Sequence, residues 1–158
     1  MFGDIPKQTK KVVILIGIQA SGKTTFYDRY LKDSFEHISL DVLHTRNKER
    51  QAMDDCILRG VSFAIDNTNP TRAERHKYIE SAHSAGYEAI GCYFKSGVSE
   101  CIRRNAYREG KARVPDVAVA ATSNKLDLPA LSEGFDRLYY VTISLNGSFT
   151  IEAWRDEL

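Results

Sequence analysis

"KKVVILIGIQASGKTT", residues 10–25, decides the fold. Its first half holds an unbroken apolar run, Val12 to Ile16, led by two lysines. A strand with one wet face would alternate apolar and polar residues, so this run reads as a strand buried on both faces of a parallel sheet. The second half spaces Gly17, four residues, Gly22, Lys23 and Thr24, the pattern of a P-loop, a turn that cradles phosphate where a helix begins. Glycines let consecutive backbone N–H groups converge on one phosphate chain, and the helix N-terminus adds partial positive charge. Gly17, Ala20, Ser21, Gly22, Lys23, Thr24 and Thr25 are therefore the candidate nucleotide-binding residues. Lys23 is expected at the β and γ phosphates, and the Thr24 hydroxyl at Mg2+.

Outward from this motif, strands and helices alternate. A helix is expected from about Gly22 to Lys32, a short strand in "FEHISL", a helix over Val42 to Arg59 and a third strand in "VSFAI". A helix over Thr71 to Ala85 follows, with Pro70 near its first turn, Asn69 as its cap and Gly86 at its end. "YEAIGCYF" reads as a fourth strand, Ser99 to Arg108 as a helix begun by Ser96 or Ser99, and Val114 to Leu126 as another. "RLYYVTISL" makes a fifth strand, and "NGSFTIEAW" a turn with a last short strand or arm. The alternation predicts an α/β protein with the P-loop NTPase fold, a five-stranded parallel sheet flanked by helices. Residues 1–158 read as a single domain, with no repeat, linker or low-complexity segment.

Composition excludes several classes. Apolar residues are 42% and charged residues 27%, and no stretch approaches the 18 apolar residues of a bilayer span. The polar start "MFGDIPKQTKK" carries no signal core, which predicts a cytoplasmic protein with no membrane partner. Without secretion, the final Arg155 to Leu158 and the triplet Asn146, Gly147, Ser148 are chance likenesses of retention and glycosylation signals. Cys56, Cys92 and Cys101 have no paired spacing for zinc or redox work, and His76 and His83 read as a solvated helix face. The net charge is only +1, yet residues 95–115 carry +4 and residues 45–51 carry +2. Positive charge concentrated in two segments suits a polyanion.

Two acids sit where chemistry would need them. Asp66 closes the third strand, but Asn67 follows it, where a hydrolysing ATPase would place a glutamate to activate water. The chain is also too short for the second helical domain of oligomeric motor ATPases. Asp41, just after the second strand at the carboxyl edge of the sheet, reads either as a general base for an acceptor hydroxyl or as a helix N-cap. "IRRNAYREGKARVP" places Arg104 and Arg108 four apart, on one helical face, in a lid over about 104–115; a solvated basic face is the alternative. Asp66, Asn67, Thr68 and Asn69 form a polar shelf, with Arg72 and Arg75 beyond it facing an acceptor.

These stretches together resemble the kinase domain of the polynucleotide 5′-hydroxyl kinases, the end-healing branch of the P-loop kinases. The resemblance spans about Val12 to Thr142, and its most specific piece is Asp66, Asn67, Thr68, Asn69, Pro70. It implies a nucleoside-kinase-like fold with an arginine-bearing lid, ATP and Mg2+ as cofactors, and the 5′ ends of DNA or RNA as acceptors. It further implies Lys23, Asp41 and Arg108 as catalytic residues, Arg104 and Arg108 on ATP, and Asp41, Asp66, Asn67, Thr68 and Arg72 near the acceptor. Leu40 stands where the family often has an arginine and His44 where some members have another, leaving Arg46 or Arg72 to substitute. Many end-healing enzymes fuse this kinase to a phosphatase or ligase, for which 158 residues leave no room. Two alternatives remain: a kinase of a small hydroxyl-bearing molecule (nucleoside, sugar or antibiotic), and an ATP-binding module that transfers no phosphate.

Overall fold

A computed structural model describes residues 9–95 and 97–155. Ser96, the first eight residues and Asp156 to Leu158 lie outside the described residues, and with them the helix start at Ser96, most of the polar leader and most of the terminal tetrapeptide.

The opening apolar run forms β1, Lys11–Ile16, with all but its first residue buried. The other strands are β2, Glu36–Ile38; β3, Phe63–Asp66; β4, Glu88–Phe94; β5, Arg137–Ile143; and β6, Phe149–Ala153. They form one sheet in the order β2-β3-β1-β4-β5-β6. β1 therefore lies inside the sheet, parallel to β3 and to β4. Its period-2 alternation serves two cores. Val12, Ile14 and Ile16 pack on one face with Phe63, Ile65 and Tyr78, while Val13 and Leu15 pack on the other with Phe26, Leu31 and Phe94.

Five strands are parallel, as expected, and β6 adds a sixth that runs antiparallel to β5. The turn Ser144 to Ser148 makes this possible, since a hairpin needs only a few residues whereas a parallel partner would need a crossover.

The helices are α1, Lys23–Phe26, continued by a π-helical turn over Tyr27–Leu31; α2, Leu40–Leu43; α3, Arg46–Arg59; α4, Arg72–Ser84; α5, Val98–Ala106; and α6, Asp116–Lys125. The helix expected over 42–59 is thus two. His44 takes a left-handed φ of 71°, and Thr45 restarts the chain by accepting from the Lys48 N–H at 3.1 Å. The helix at 71–85 is capped by Thr71, whose hydroxyl accepts from the Glu74 N–H at 3.2 Å, and not by Asn69. Asn69 instead holds a φ of 46° and donates its amide to the Leu15 carbonyl at 2.7 Å, fastening the shelf to the end of β1.

Among the described residues no helix is long and apolar enough to cross a membrane, and no cluster of His, Cys, Asp and Glu is arranged to hold a metal. All three cysteines are buried and none is in a disulfide, so they are core residues. Burial pushes the Cys92 thiol up to about 12, which keeps it protonated and inert.

Candidate active site

β1 ends in the glycine turn, and close packing explains its first glycine. A side chain at Gly17 would come within 2.8 Å of the Ser21 hydroxyl and 3.1 Å of Phe94. Gly22 sits at φ 102°, a conformation that glycine adopts without strain, immediately before α1. Between them Ala20 takes φ 63°, and its carbonyl accepts a bond from Arg104 at 2.9 Å.

Lys23 folds back into this turn. Its ammonium donates to the Gly17 and Ile18 carbonyls at 2.8 and 2.9 Å and to the Ser21 hydroxyl at 3.4 Å, and the residue is only 7% exposed. Burial pulls its pKa down to about 8, against the opposing attraction of Asp66.

Register brings the second acid to the same place, since Asp66 at the end of β3 pairs with Leu15 of β1. Its Oδ2 accepts from the Thr24 hydroxyl at 2.8 Å and from His37 Nε2 at 2.7 Å. Burial alone would raise its pKa. The bonds from His37 and Thr24 and the charge of Lys23 outweigh that and hold the carboxyl below its ordinary value. Next along the shelf, Thr68 accepts the Gly17 N–H on its carbonyl at 3.0 Å, which ties the shelf to the turn.

Asp41 is exposed, in the first turn of α2. The N-cap reading does not hold for it, because Ser39 is the cap and its hydroxyl accepts from the Asp41 N–H at 3.2 Å. Asp41, Leu40, Lys23, Thr24, Asp66, Asn67, Thr68, Arg108 and Lys111 line a single cleft of about 250 Å3. Arg108 is not on a helix face with Arg104, since α5 stops at Ala106 and Arg108 lies beyond it, in the exposed connection that leads to α6. Asn105 pins the base of that connection through bonds in both directions to the Val114 backbone, at 2.5 and 3.0 Å.

Several expected residues are elsewhere. Arg104 reaches the backbone of the turn and is not part of the cleft lining. Arg72 is exposed and also outside that lining. Arg75 cannot face an acceptor. It is completely buried, paired with Glu133 at 2.9 and 3.0 Å, and also donates to the Asn69 and Pro70 carbonyls. Arg46 bonds Glu49 and Tyr78 on α3 and α4.

Two residues had drawn no attention in the sequence. His37 stands in a short strand, and only the pairing of β2 with β3 places it beside Asp66. Gln19, at a variable position of the motif, bonds Thr122 of α6 at 2.9 Å. In both cases the partner is far away along the chain.

A parallel sheet that ends in a phosphate-cradling turn, with acids at its carboxyl edge and an arginine on the facing connection, has the P-loop kinase fold. The profile of the AAA domain family matches residues 12–129, and the chain belongs to that family. It is similar to a bifunctional polynucleotide phosphatase/kinase of Schizosaccharomyces pombe, 25% identical over 130 residues that cover 80% of this chain and 32% of the relative. The chain spans about a third or less of the length of the curated relatives it matches. Among solved structures, a fungal RNA kinase superposes with a TM-score of 0.65 at 16% identity, over 88% of this chain and 40% of that one. A sugar kinase from Janibacter sp. HTCC2649 has the same TM-score at 18% identity, over 88% of this chain and 87% of that one.

Proposed function

We propose that this chain transfers the γ-phosphate of ATP to a hydroxyl, and that the hydroxyl is the 5′ end of a DNA or RNA strand. One observation carries the reading: Asp41 shares a single cleft with Lys23, Asp66 and Arg108, so a proton acceptor, a phosphate-binding ammonium and a further cation converge where a phosphoryl group would move. The turn N–H groups and Lys23 hold the phosphate chain. Asp41 accepts the proton of the attacking hydroxyl, and Arg108 with Lys111 offsets negative charge as it spreads over the transferred group.

The Thr24 hydroxyl and the Asp66 carboxylate, 2.8 Å apart, are hard oxygen donors of the kind Mg2+ prefers, so the residues present fit that ion. Bound there, Mg2+ would neutralise phosphate charge. Asn67 supports transfer over hydrolysis. Its side chain is committed to the Leu40 N–H and to Glu49, and it is not a carboxylate that would activate water.

The 5′-end acceptor is supported by the Asp66 to Pro70 string, by similarity to the polynucleotide phosphatase/kinase, and by basic residues in the cleft lining. Arg108 and Lys111 enter the lining from the connection after α5, the proposed lid. Lys48 and Arg50 are exposed on α3, the next helix in the chain after the turn at Asp41. The deciding experiment supplies labelled ATP, Mg2+ and 5′-hydroxyl oligonucleotides of DNA and RNA alongside nucleosides and sugars. Label is expected on the oligonucleotides. Transfer only to the small molecules would assign the acceptor to that class, and ATP binding with transfer to none would leave a nucleotide-binding module. Asp41→Asn is expected to lower turnover about 100-fold while ATP affinity stays unchanged.

A further inference from the structure

Glu49 is a carboxylate only 3% exposed, outside the cleft lining and unused by the proposed chemistry. Burying a charge is costly unless every partner is in place. Here they are. The Tyr78 hydroxyl donates at 2.9 and 3.0 Å, Arg46 at 3.2 Å and the Asn67 amide at 2.8 Å.

The Asn67 bond has consequences beyond solvation. An asparagine amide has a donor end and an acceptor end of nearly equal shape, and its surroundings choose which way it lies. A carboxylate only accepts, so Glu49 draws Nδ2 toward itself and leaves Oδ1 facing the opposite way. There Oδ1 accepts the Leu40 N–H at 2.9 Å. Leu40 directly precedes Asp41, in a helix of four residues of which none is buried. Apart from Asn67, which reaches it from the end of β3, the turn is tied to the body of the protein through Leu43, which packs on the core, while the Ser39 cap acts within the turn.

We propose that Glu49 is a positioning residue for Asp41, fixing the Asn67 amide so that its oxygen anchors the turn that carries the base. The inference rests on the kinase reading for its effect on turnover, but the anchoring itself is measurable without activity. In Glu49→Gln the side chain keeps its shape and can present a donor to Asn67, so the amide is no longer held one way. Amide hydrogen exchange at Leu40 is expected to speed up, and turnover on a 5′-hydroxyl oligonucleotide to fall about tenfold with ATP affinity unchanged.

Asn67→Asp sets two carboxylates face to face and should show the same losses. The double variant Asn67→Asp with Glu49→Gln restores a donor against an acceptor on one side and an acceptor against Leu40 on the other. It should recover both exchange protection and turnover. Unchanged exchange at Leu40 in Glu49→Gln would overturn the proposal, as would a double variant no better than the singles. A lowered melting temperature with wild-type turnover in the folded range would mean that Glu49 only stabilises α3 against α4, and would overturn it too. If the wild type transfers no phosphate, the kinase reading and the effect on turnover fail together, while exchange at Leu40 still decides whether Glu49 holds the turn.

Discussion

The two walls of the cleft are built in opposite ways. The phosphate wall consists of the glycine turn, Lys23 and Asp66. Its charged groups are nearly inaccessible, its fixed points are backbone carbonyls and N–H groups, and β1 behind it is paired on both sides. The acceptor wall consists of the turn at Asp41 and the connection carrying Arg108 and Lys111. It is largely exposed, and few side chains hold it, Asn67 and the core-packed Leu43 on one side and Asn105 on the other. On the proposed kinase reading, a wall that meets the same phosphates at every turnover gains from being preorganised, whereas a wall that admits and releases an acceptor must open. The difference predicts that substitutions in the first wall change stability or nucleotide affinity, and that those in the second change local motion and turnover.

The hardest way to break this contrast is to attack the shelf from beneath. Arg75 and Glu133 form a pair with side-chain exposures of 0% and 2%, and Arg75 also holds the carbonyls of Asn69 and Pro70. Arg75→Met strands a buried carboxylate, and urea denaturation should show a loss of about 3 kcal/mol. Replacing both partners with apolar residues should return most of it, because the stranded charge is then gone. Turnover below the melting transition should be nearly normal in either variant, since the groups Arg75 bonds, Glu133 and the Asn69 and Pro70 carbonyls, lie outside the cleft lining. If turnover collapses while the fold is intact, Arg75 belongs to the chemistry after all.

Arg75 also marks the limit of what the sequence makes legible. The phosphate wall is written locally: Gly17, Gly22, Lys23 and Thr24 fall within eight residues, and the buried strand before them is visible from its unbroken apolar run. The parallel sheet follows from the alternation of strand and helix signals. What reads poorly is any side chain whose partner lies far along the chain. Arg75 reads as a cation facing an acceptor until Glu133, 58 residues on, is seen to pair with it in the interior. His37 needs Asp66, Glu49 needs Tyr78, and Asn105 needs Val114 across a chain reversal. The split between α2 and α3 was missed for a smaller reason. Ser39 and Thr45 are both sound caps, but they stand only six residues apart, too short a span for apolar periodicity to show that two helices start there.

A milder test uses the phosphate wall's own titration. With its pKa near 8, Lys23 is mostly charged at pH 7 and mostly neutral at pH 9. Phosphates favour the charged form and raise that pKa on binding, so above pH 8 nucleotide binding must recapture a proton. ATP affinity should therefore weaken about tenfold between pH 7 and pH 9. Calorimetry in buffers of different ionisation enthalpy should register proton uptake at pH 8.5 and little at pH 7. A Lys23→Arg variant, whose guanidinium does not titrate in this range, should lack that dependence. Affinity that is flat in the wild type would mean that the ammonium stays charged in its carbonyl cage.

The smallest effect is the most direct measure of the contrast, because the same chemistry occurs on both sides of it. Thr71 caps α4, thirteen residues long with Tyr78, Ile79 and Ala82 in the core; Ser39 caps α2, four residues with none. Each hydroxyl accepts one backbone N–H at 3.2 Å. Thr71→Ala should lower global stability by about 1 kcal/mol, since α4 unfolds only when its core face leaves the sheet. Ser39→Ala removes an equivalent bond from a segment whose opening releases only the partly buried Leu43 from the core, so that opening need not await global unfolding. Its denaturation midpoint should barely move, while amide exchange at Asp41 accelerates. Equal global losses from the two caps would mean that the Asp41 turn unfolds together with the sheet, and that the acceptor wall is as rigid as the phosphate wall.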